Sequence, residues 1–382
     1  MTRRIALYTD KKYRAGDEYY LPMLIPYWGK WTKVQKFQNI EMHYTGVGES
    51  LQIDKEMSVF QDYFDIVDSI EEADAALLPT NLIRYYQMGI EHVAHELADL
   101  AAEHQKPIII FGVNDLYVPF ERGNVIRFGA SLYQSKLKPN EFAAPPWIPD
   151  YREGRVSLRE KGEKPVVGFC GRVKDMTPGN IMRHEWRRVF QEFYRVDFAG
   201  SYKGKDWELK QADFLRPQAL ELLEKHDKVE TDFITREGSY GDVQRKVAGQ
   251  DEFDNTISAS IGAVRKVYYQ NMLNTDYNLC LRGKGNYSFR FYETLSHARI
   301  PLFIDTDCVL PYDFAIDWKK QMFWMDVKDM KHVGDRLYEW HSGLSNDDFL
   351  QLQKNARELW VEWLTPNGFF KNFYRFMERA KF

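Results

Sequence analysis

The chain has 382 residues, room for two to three domains at roughly 150 residues each, and each of these can own a hydrophobic core. Lysine plus arginine (52) against aspartate plus glutamate (56) leaves a formal charge of −4, so no overall positive field exists to hold nucleic acid or anionic lipid, and a polyanion-coating protein is disfavoured. Apolar residues at 44% are ordinary, whereas aromatics at 15% suggest ring-lined surfaces suited to sugar or nucleotide ligands as well as core.

From the amino terminus, Met1-Thr2-Arg3-Arg4 leads into a strand-length segment, Ile5 to Asp10, without the longer apolar core of a secretion signal. No stretch approaches the roughly 18 consecutive apolar residues of a membrane span, so a soluble, cytoplasmic protein is expected. Candidate strands follow at Arg4 to Thr9, Ala75 to Pro79, Lys106 to Val113 and Asn124 to Phe128. Between them a helix from Glu91 to His104 carries Val93, Leu97, Leu100 and Ala101 on one stripe and stops before Pro107. This is a βαβ unit. Pro139, Pro145, Pro146 and Pro149, followed by a charged run with Gly154 and Gly162, mark a domain boundary between Lys138 and Lys164. Domains 1–150 and 151–365 are therefore expected.

The alternation restarts with a strand at Pro165 to Cys170, a helix near Ile181 to Tyr194 and a strand at Arg195 to Ala199. Lys228 to Ile234 reads as a further strand. Asn255 to Asn274 reads as a helix striped by Ile257, Ile261, Val264, Tyr268 and Met272, and Asp276 to Leu281 as the next strand. The tail offers a helix from Asn346, with Phe349, Leu352, Ala356, Leu359, Trp360 and Trp363 on its stripe, and another after Pro366-Asn367-Gly368 toward Phe382. No internal repeat is visible. The expected fold class is α/β, with two Rossmann-like parallel-sheet domains and a cleft between them, and ligands belong at the carboxyl ends of the strands. Cys170, Cys280 and Cys308 are odd in number and scattered, which argues for buried thiols and against a disulfide framework or structural zinc.

The richest stretch runs from Tyr277 to Trp318, YNLCLRGKGNYSFRFYETLSHARIPLFIDTDCVLPYDFAIDW. A strand delivers Arg282-Gly283-Lys284-Gly285-Asn286 into a helix starting near Tyr287 or Ser288. Glycines let backbone N–H groups approach a ligand, and the helix start adds partial positive charge, so a phosphate fits there. Arg282, Lys284 and Arg290 add full charge. Glu293 follows Arg290 by three positions on one helix face, where a carboxylate can accept from ribose hydroxyls. The residues read as a diphosphate-ribose clamp, although such a pair also serves as an ordinary surface salt bridge.

In order and spacing, NLCLRGKGN, SFRFYETL, RIPLFID and VLPYDFAIDW resemble the exostosin glycosyltransferases (family 47), densely over Tyr268 to Trp318. PVVGFCGR (Pro165 to Arg172) and TDFITRE (Thr231 to Glu237) extend the resemblance upstream, to about half the chain. It implies a GT-B fold: an N-terminal acceptor-binding domain, a C-terminal nucleotide-sugar domain, and a last helix, about 366–382, returning to the first domain. It assigns Arg290 to the diphosphate, Glu293 to the ribose and Ser288 to the helix start near the phosphates, while Gly285 and Asn286 join the nucleotide-sugar site through the loop described above. More loosely, it assigns Arg172 and Arg236 to the leaving diphosphate. The implied reaction is inverting, metal-independent transfer of a hexose or pentose from a nucleotide sugar, UDP before GDP, to a glycan or lipid-linked glycan. Without an anchor the chain resembles a bacterial-type member that builds a surface polysaccharide such as lipopolysaccharide or capsule, with peripheral contact to the inner membrane through its acceptor. No cofactor, nucleic acid or metal is expected.

A base must take the acceptor proton. Asp10, directly after the first strand, and Asp115, after Val113 and Asn114, are placed for this, and each equally suits a turn or helix cap. Asp305-Thr306-Asp307 spells the D-x-D by which other transferases hold a divalent metal, leaving a metal-dependent enzyme as an alternative. A non-catalytic nucleotide- or carbohydrate-binding subunit is the other. His92, His95 and Glu96 read as a solvated helix face and not as the H-E-x-x-H of a zinc site. The run Gly283-Lys284-Gly285 lacks P-loop spacing. Rings from Tyr13 to Trp31, including Tyr19, Tyr20, Tyr27 and Trp28, suit packing better than acceptor stacking.

Overall fold

A computed structural model describes residues 4–16, 20–29, 58–152, 154–173, 212–236 and 255–382. The expected helix at Ile181 to Tyr194, the strand at Arg195 to Ala199, and Tyr19 and Trp31 lie outside the described residues. The chain forms two compact units: Met1–Arg155 with Asp307–Trp318 and Arg357–Phe382, and Val156–Thr306 with Lys319–Ala356.

Among the described residues the first unit is built on six parallel strands, β1 (Ile5–Tyr8), β2 (Phe64–Val67), β3 (Ala75–Leu77), β4 (Ile108–Gly112), β5 (Val125–Gly129) and β6 (Glu141–Ala143), in the order β2-β1-β3-β4-β5-β6. β4 and β5 are buried along their whole length. Strands covered on both faces need no polar alternation, which is why Ile108 to Phe111 reads as one apolar run. Helix α1 (Leu82–Met88) starts where Asn81 accepts from the Ile83 N–H and ends at left-handed Gly89. Helix α2 (Glu91–Glu103) buries Ala94, Leu97, Ala98 and Ala101, while Val93 and Leu100 lie at the margin. The buried stripe thus centres on the alanines, whose small side chains let the helix lie close on the sheet.

In the second unit β7 (Val166–Arg172), β8 (Glu230–Arg236), β9 (Tyr277–Cys280), β10 (Ile300–Asp305) and β11 (Phe323–Asp326) form a parallel sheet in the order β11-β10-β9-β7-β8. Helices α3 (Ala212–Glu224), α4 (Asn255–Asn274), α5 (Phe289–Ser296), α6 (Val333–Gly343) and α7 (Asn346–Leu359) accompany it. Counted from its own first strand, this order repeats that of β1 to β5. In both sheets the chain first adds a strand on one side and then crosses to the other, placing a topological switch between β1 and β3 and between β7 and β9. Near the start of β9 the buried Asp276 carboxylate accepts from Arg159 Nε at 2.8 Å and from the Val166 N–H at 3.0 Å, tying β7 to β9.

The tail closes the first unit. α7 runs on into a wider turn at Trp360–Leu364, followed by α8 (Pro366–Lys371), opened by the Thr365 hydroxyl accepting from the Gly368 N–H, and α9 (Tyr374–Arg379). Phe369, Phe370, Phe373 and Phe376 are all buried. Their rings meet Phe128 of β5, Phe142 of β6 and Phe64 of β2. Arg357 pairs with Asp150 through both terminal guanidinium nitrogens, Nη1 and Nη2, and the Tyr312 hydroxyl donates to the Phe369 carbonyl at 2.7 Å. Two parallel-sheet α/β units, with the last helices belonging to the first, are consistent with the GT-B architecture.

Candidate functional site

The switch of the second sheet lies where β7 ends in Phe169-Cys170-Gly171-Arg172 and β9 runs into the loop Arg282 to Asn286. That loop folds on itself: the Gly283 N–H donates to the Tyr287 carbonyl at 2.8 Å, and Arg282 Nη2 donates to the Lys284 carbonyl at 3.1 Å. Asn286 is fully buried and accepts from the Thr306 hydroxyl at 2.7 Å, which ties the loop to the end of β10. Gly285 is buried beside it and Lys284 is exposed. Ser288 stands at the N-cap of α5 in extended conformation, and its hydroxyl caps none of the helix N–H groups.

Arg290 leaves the first turn of α5 and lies across β7. Its guanidinium centres 4.1 Å from the Phe169 ring, and Nη2 donates to the Cys170 carbonyl. This approach requires a residue without a side chain at 171, since a Cβ there would stand 3.0 Å from Nη2. Nε donates to the Tyr268 hydroxyl at 3.3 Å, and that hydroxyl donates in turn to Glu293 Oε2. Arginine has no acceptor, so the direction of the chain from Arg290 through Tyr268 to Glu293 is fixed. Arg290 Nη1 and Glu293 Oε1 make no hydrogen bond among the described residues. Burial pushes the Glu293 carboxyl up, against the opposing pull of the Tyr268 hydroxyl, Arg290 and Arg265. Burial likewise holds the Tyr268 phenol well above its ordinary value, so it stays protonated.

Arg172 and Arg236 end neighbouring strands as register partners. Arg236 Nη2 donates to Cys170 Sγ at 3.1 Å, and Arg172 Nε is buried without a hydrogen-bond partner among the described residues. Strand alternation puts both arginines on the Cys170 face of the sheet and Arg290 on the Phe169 face. The structure therefore gathers Arg290 and Glu293 into one cluster, brings Arg172 and Arg236 to the same strand ends from the other face, and leaves Ser288 at the helix start between the loop and Arg290. Tyr268, which the sequence places on a packing stripe, turns out to join the two principal residues. A tyrosine on an apolar stripe must find a partner for its hydroxyl when buried, and that is the signal that could have found it.

In the first unit Asp10 sits after β1, where its Oδ1 accepts from the Lys12 N–H at 2.8 Å and caps a short 3₁₀ turn. Asp115 is exposed after β4, next to Asn114, which accepts from the Leu116 N–H. Asp307 accepts from the Ser135 N–H at 3.1 Å and from its hydroxyl, with a positive φ of 66°. Asp305 ends β10. Among the described residues no three His, Cys, Asp or Glu side chains come together as a metal site requires. On α2 His92 and Glu96 are exposed, whereas His95 stacks on Phe120 at 4.7 Å, so this face is less solvated than expected. Cys170, Cys280 and Cys308 are buried and form no disulfide among the described residues. Among the described residues no helix is long and apolar enough to cross a membrane.

The second of the two doubly wound α/β units thus carries a cluster of arginines at its strand ends, where open parallel sheets hold their ligands. Comparison with known proteins adds one specific likeness. Over 96 residues, a quarter of this chain, the sequence is 37% identical to Exostosin-1 of Drosophila melanogaster. The matched stretch is 12% of that protein, so the likeness agrees with the exostosin resemblance over part of the chain. No family model matches the chain.

Proposed function

We propose that this chain is an exostosin-type glycosyltransferase of family 47 that moves a hexose or pentose from a nucleoside-diphosphate sugar, a UDP-sugar before a GDP-sugar, to a hydroxyl of a polysaccharide or glycolipid. The observation that carries the reading is the Arg290–Tyr268–Glu293 cluster at the switch of the second sheet, with one guanidinium edge and one carboxylate oxygen left for a ligand. Arg290 takes a diphosphate oxygen, Glu293 Oε1 a ribose hydroxyl, and Arg172 and Arg236 the charge that grows as the sugar leaves. The N–H groups at the start of α5, with Gly285, Asn286 and Ser288, complete the phosphate cradle.

In the transfer, the acceptor oxygen bonds to the anomeric carbon as the bond from that carbon to the diphosphate oxygen breaks. The electron pair leaves with the diphosphate, and the acceptor proton passes to a carboxylate, with Asp10 and Asp115 as the candidates. Displacement from the opposite side inverts the anomeric centre. Three arginines supply the countercharge that a divalent metal would otherwise provide, and no cofactor takes part. The acceptor is a bacterial surface glycan or its lipid-linked precursor, met at the membrane surface.

The test is thermal unfolding with UDP, GDP and CDP, each with magnesium and with a chelator, since a ligand of the native state raises its stability as RT ln(1 + [L]/Kd). One nucleotide should raise the midpoint in both conditions, and Arg290→Ala should weaken that nucleotide by about tenfold or more. A shift seen only with magnesium turns the reading toward a metal-dependent enzyme using Asp305 and Asp307. Binding without sugar transfer turns it toward a supporting subunit, and no shift at all removes the site.

A further inference from the structure

Arg290 and Glu293 are three positions apart on α5, and neither bonds the other directly among the described contacts. Tyr268, from α4, supplies the link: it accepts from Arg290 Nε and donates to Glu293 Oε2. Its ring also flanks the guanidinium, 5.3 Å from the charge, while Phe169 covers the other side at 4.1 Å. One hydroxyl therefore fixes one edge of the cation and one oxygen of the carboxylate, and each group keeps another polar atom for a ligand. We propose that Tyr268 is a positioning residue that couples the phosphate contact of Arg290 to the ribose contact of Glu293. The ligand part rests on the reading given under Proposed function, whereas the hydrogen-bonded chain does not.

The coupling is physical in both directions. A phosphate that draws Arg290 shifts the hydroxyl through Nε, and the hydroxyl carries the Glu293 carboxylate with it. Conversely, desolvation opposes the charge of the half-buried Glu293 carboxylate, and the Tyr268 hydroxyl facing it supports that charge. The titratable and charged groups facing it are Arg265 and Tyr268 from α4, Arg290 from its own helix and the Cys280 thiol from β9. Of these, Tyr268 alone hydrogen-bonds the carboxylate among the described contacts.

Tyr268→Phe tests the proposal because it keeps the ring, and with it the packing on Arg290 and on Tyr269 at 5.3 Å, while removing only the hydroxyl. The first readout needs no ligand: the Glu293 carboxyl is followed by infrared difference titration, identified by its loss in Glu293→Gln. In Tyr268→Phe the titration should move to higher pH, since a donor to the charged form is gone. An unmoved titration overturns the proposal, because a tyrosine that merely packs would leave it in place. The second readout is calorimetric binding of UDP, GDP, CDP and inorganic pyrophosphate. Affinity for the bound nucleotide should fall about tenfold or more, and affinity for pyrophosphate by clearly less, since pyrophosphate uses no ribose contact. Equal losses, or none, overturn the coupling. Should the unmodified protein bind none of these probes, the nucleotide reading fails, and the infrared titration alone still decides whether Tyr268 governs Glu293.

Discussion

Glu293 is a carboxylate kept where burial opposes its charge, and that has a consequence for stability before any ligand is present. Its carboxyl is raised above the ordinary value of 4.5, so the folded chain holds this proton more tightly than the unfolded one. The stabilising contribution is full below the unfolded value, where both states are protonated, and is lost as pH rises through the folded value. Glu293→Gln keeps the shape without the charge. The variant should therefore unfold at a higher temperature than the unmodified protein at about pH 7.5, and the gain should shrink toward about pH 4. A gain of equal size at both values would show that the effect lies in packing. A residue that costs stability where it is charged is what a binding site built for function predicts. At this scale Arg290 and Glu293 were legible in the sequence, because a glycine loop between strand and helix and a spacing of three fix where they stand. Tyr268 was not, since stripe spacing describes which way a ring faces and says nothing of what its hydroxyl meets across the fold.

Among the elements, β7 does the most to shape the site, and its two inner glycines do so differently. A Cβ at Gly171 would stand 3.0 Å from Arg290 Nη2 and 3.3 Å from the Phe169 ring, whereas a Cβ at Gly168 would collide with the Thr275 side chain behind the strand. Gly171→Ala should leave the fold intact at a cost of about 1–3 kcal/mol and displace the guanidinium, weakening nucleotide binding about tenfold. Gly168→Ala should lower the unfolding midpoint more and leave the affinity of the folded protein unchanged. Chemical denaturation and calorimetry separate the two, and identical behaviour of the variants would refute the distinction. The long buried strands, β4 and β7 among them, were legible as apolar runs. β6, only Glu141–Ala143, is hidden in the proline-rich stretch, and β2, β11, α1, α3 and α6 are not among the elements expected from the sequence. Such short edge strands carry too few residues for a period, and they exist because a neighbour already offers a ladder: Phe128 to Phe142, and Leu302 to Phe323. The shared order of the two sheets was equally invisible, because a topology can recur while no residue pattern does.

On the scale of the whole molecule, the chain leaves the first unit at Arg155 and comes back to it twice, with Asp307–Trp318 and with Arg357–Phe382. The core of that unit is thus completed by residues that follow those of the second unit in the sequence. Phe376 is fully buried, with rings of Phe128, Phe142, Tyr312 and Phe369 within 4.5 to 5.7 Å. Removing such a ring leaves a cavity that costs about 3–5 kcal/mol. Arg172, Arg236, Tyr268, Arg290 and Glu293, by contrast, all belong to the second unit. Phe376→Ala should therefore lower the unfolding of the first unit in a calorimetric scan and leave the nucleotide affinity proposed for the second unit unchanged at lower temperature. The scan must be read as more than one transition, since a chain of two units need not unfold in a single step. If nucleotide binding instead disappears together with the first unit, the two units share one cooperative fold, and the cluster around Arg290 depends on the tail that completes the first unit.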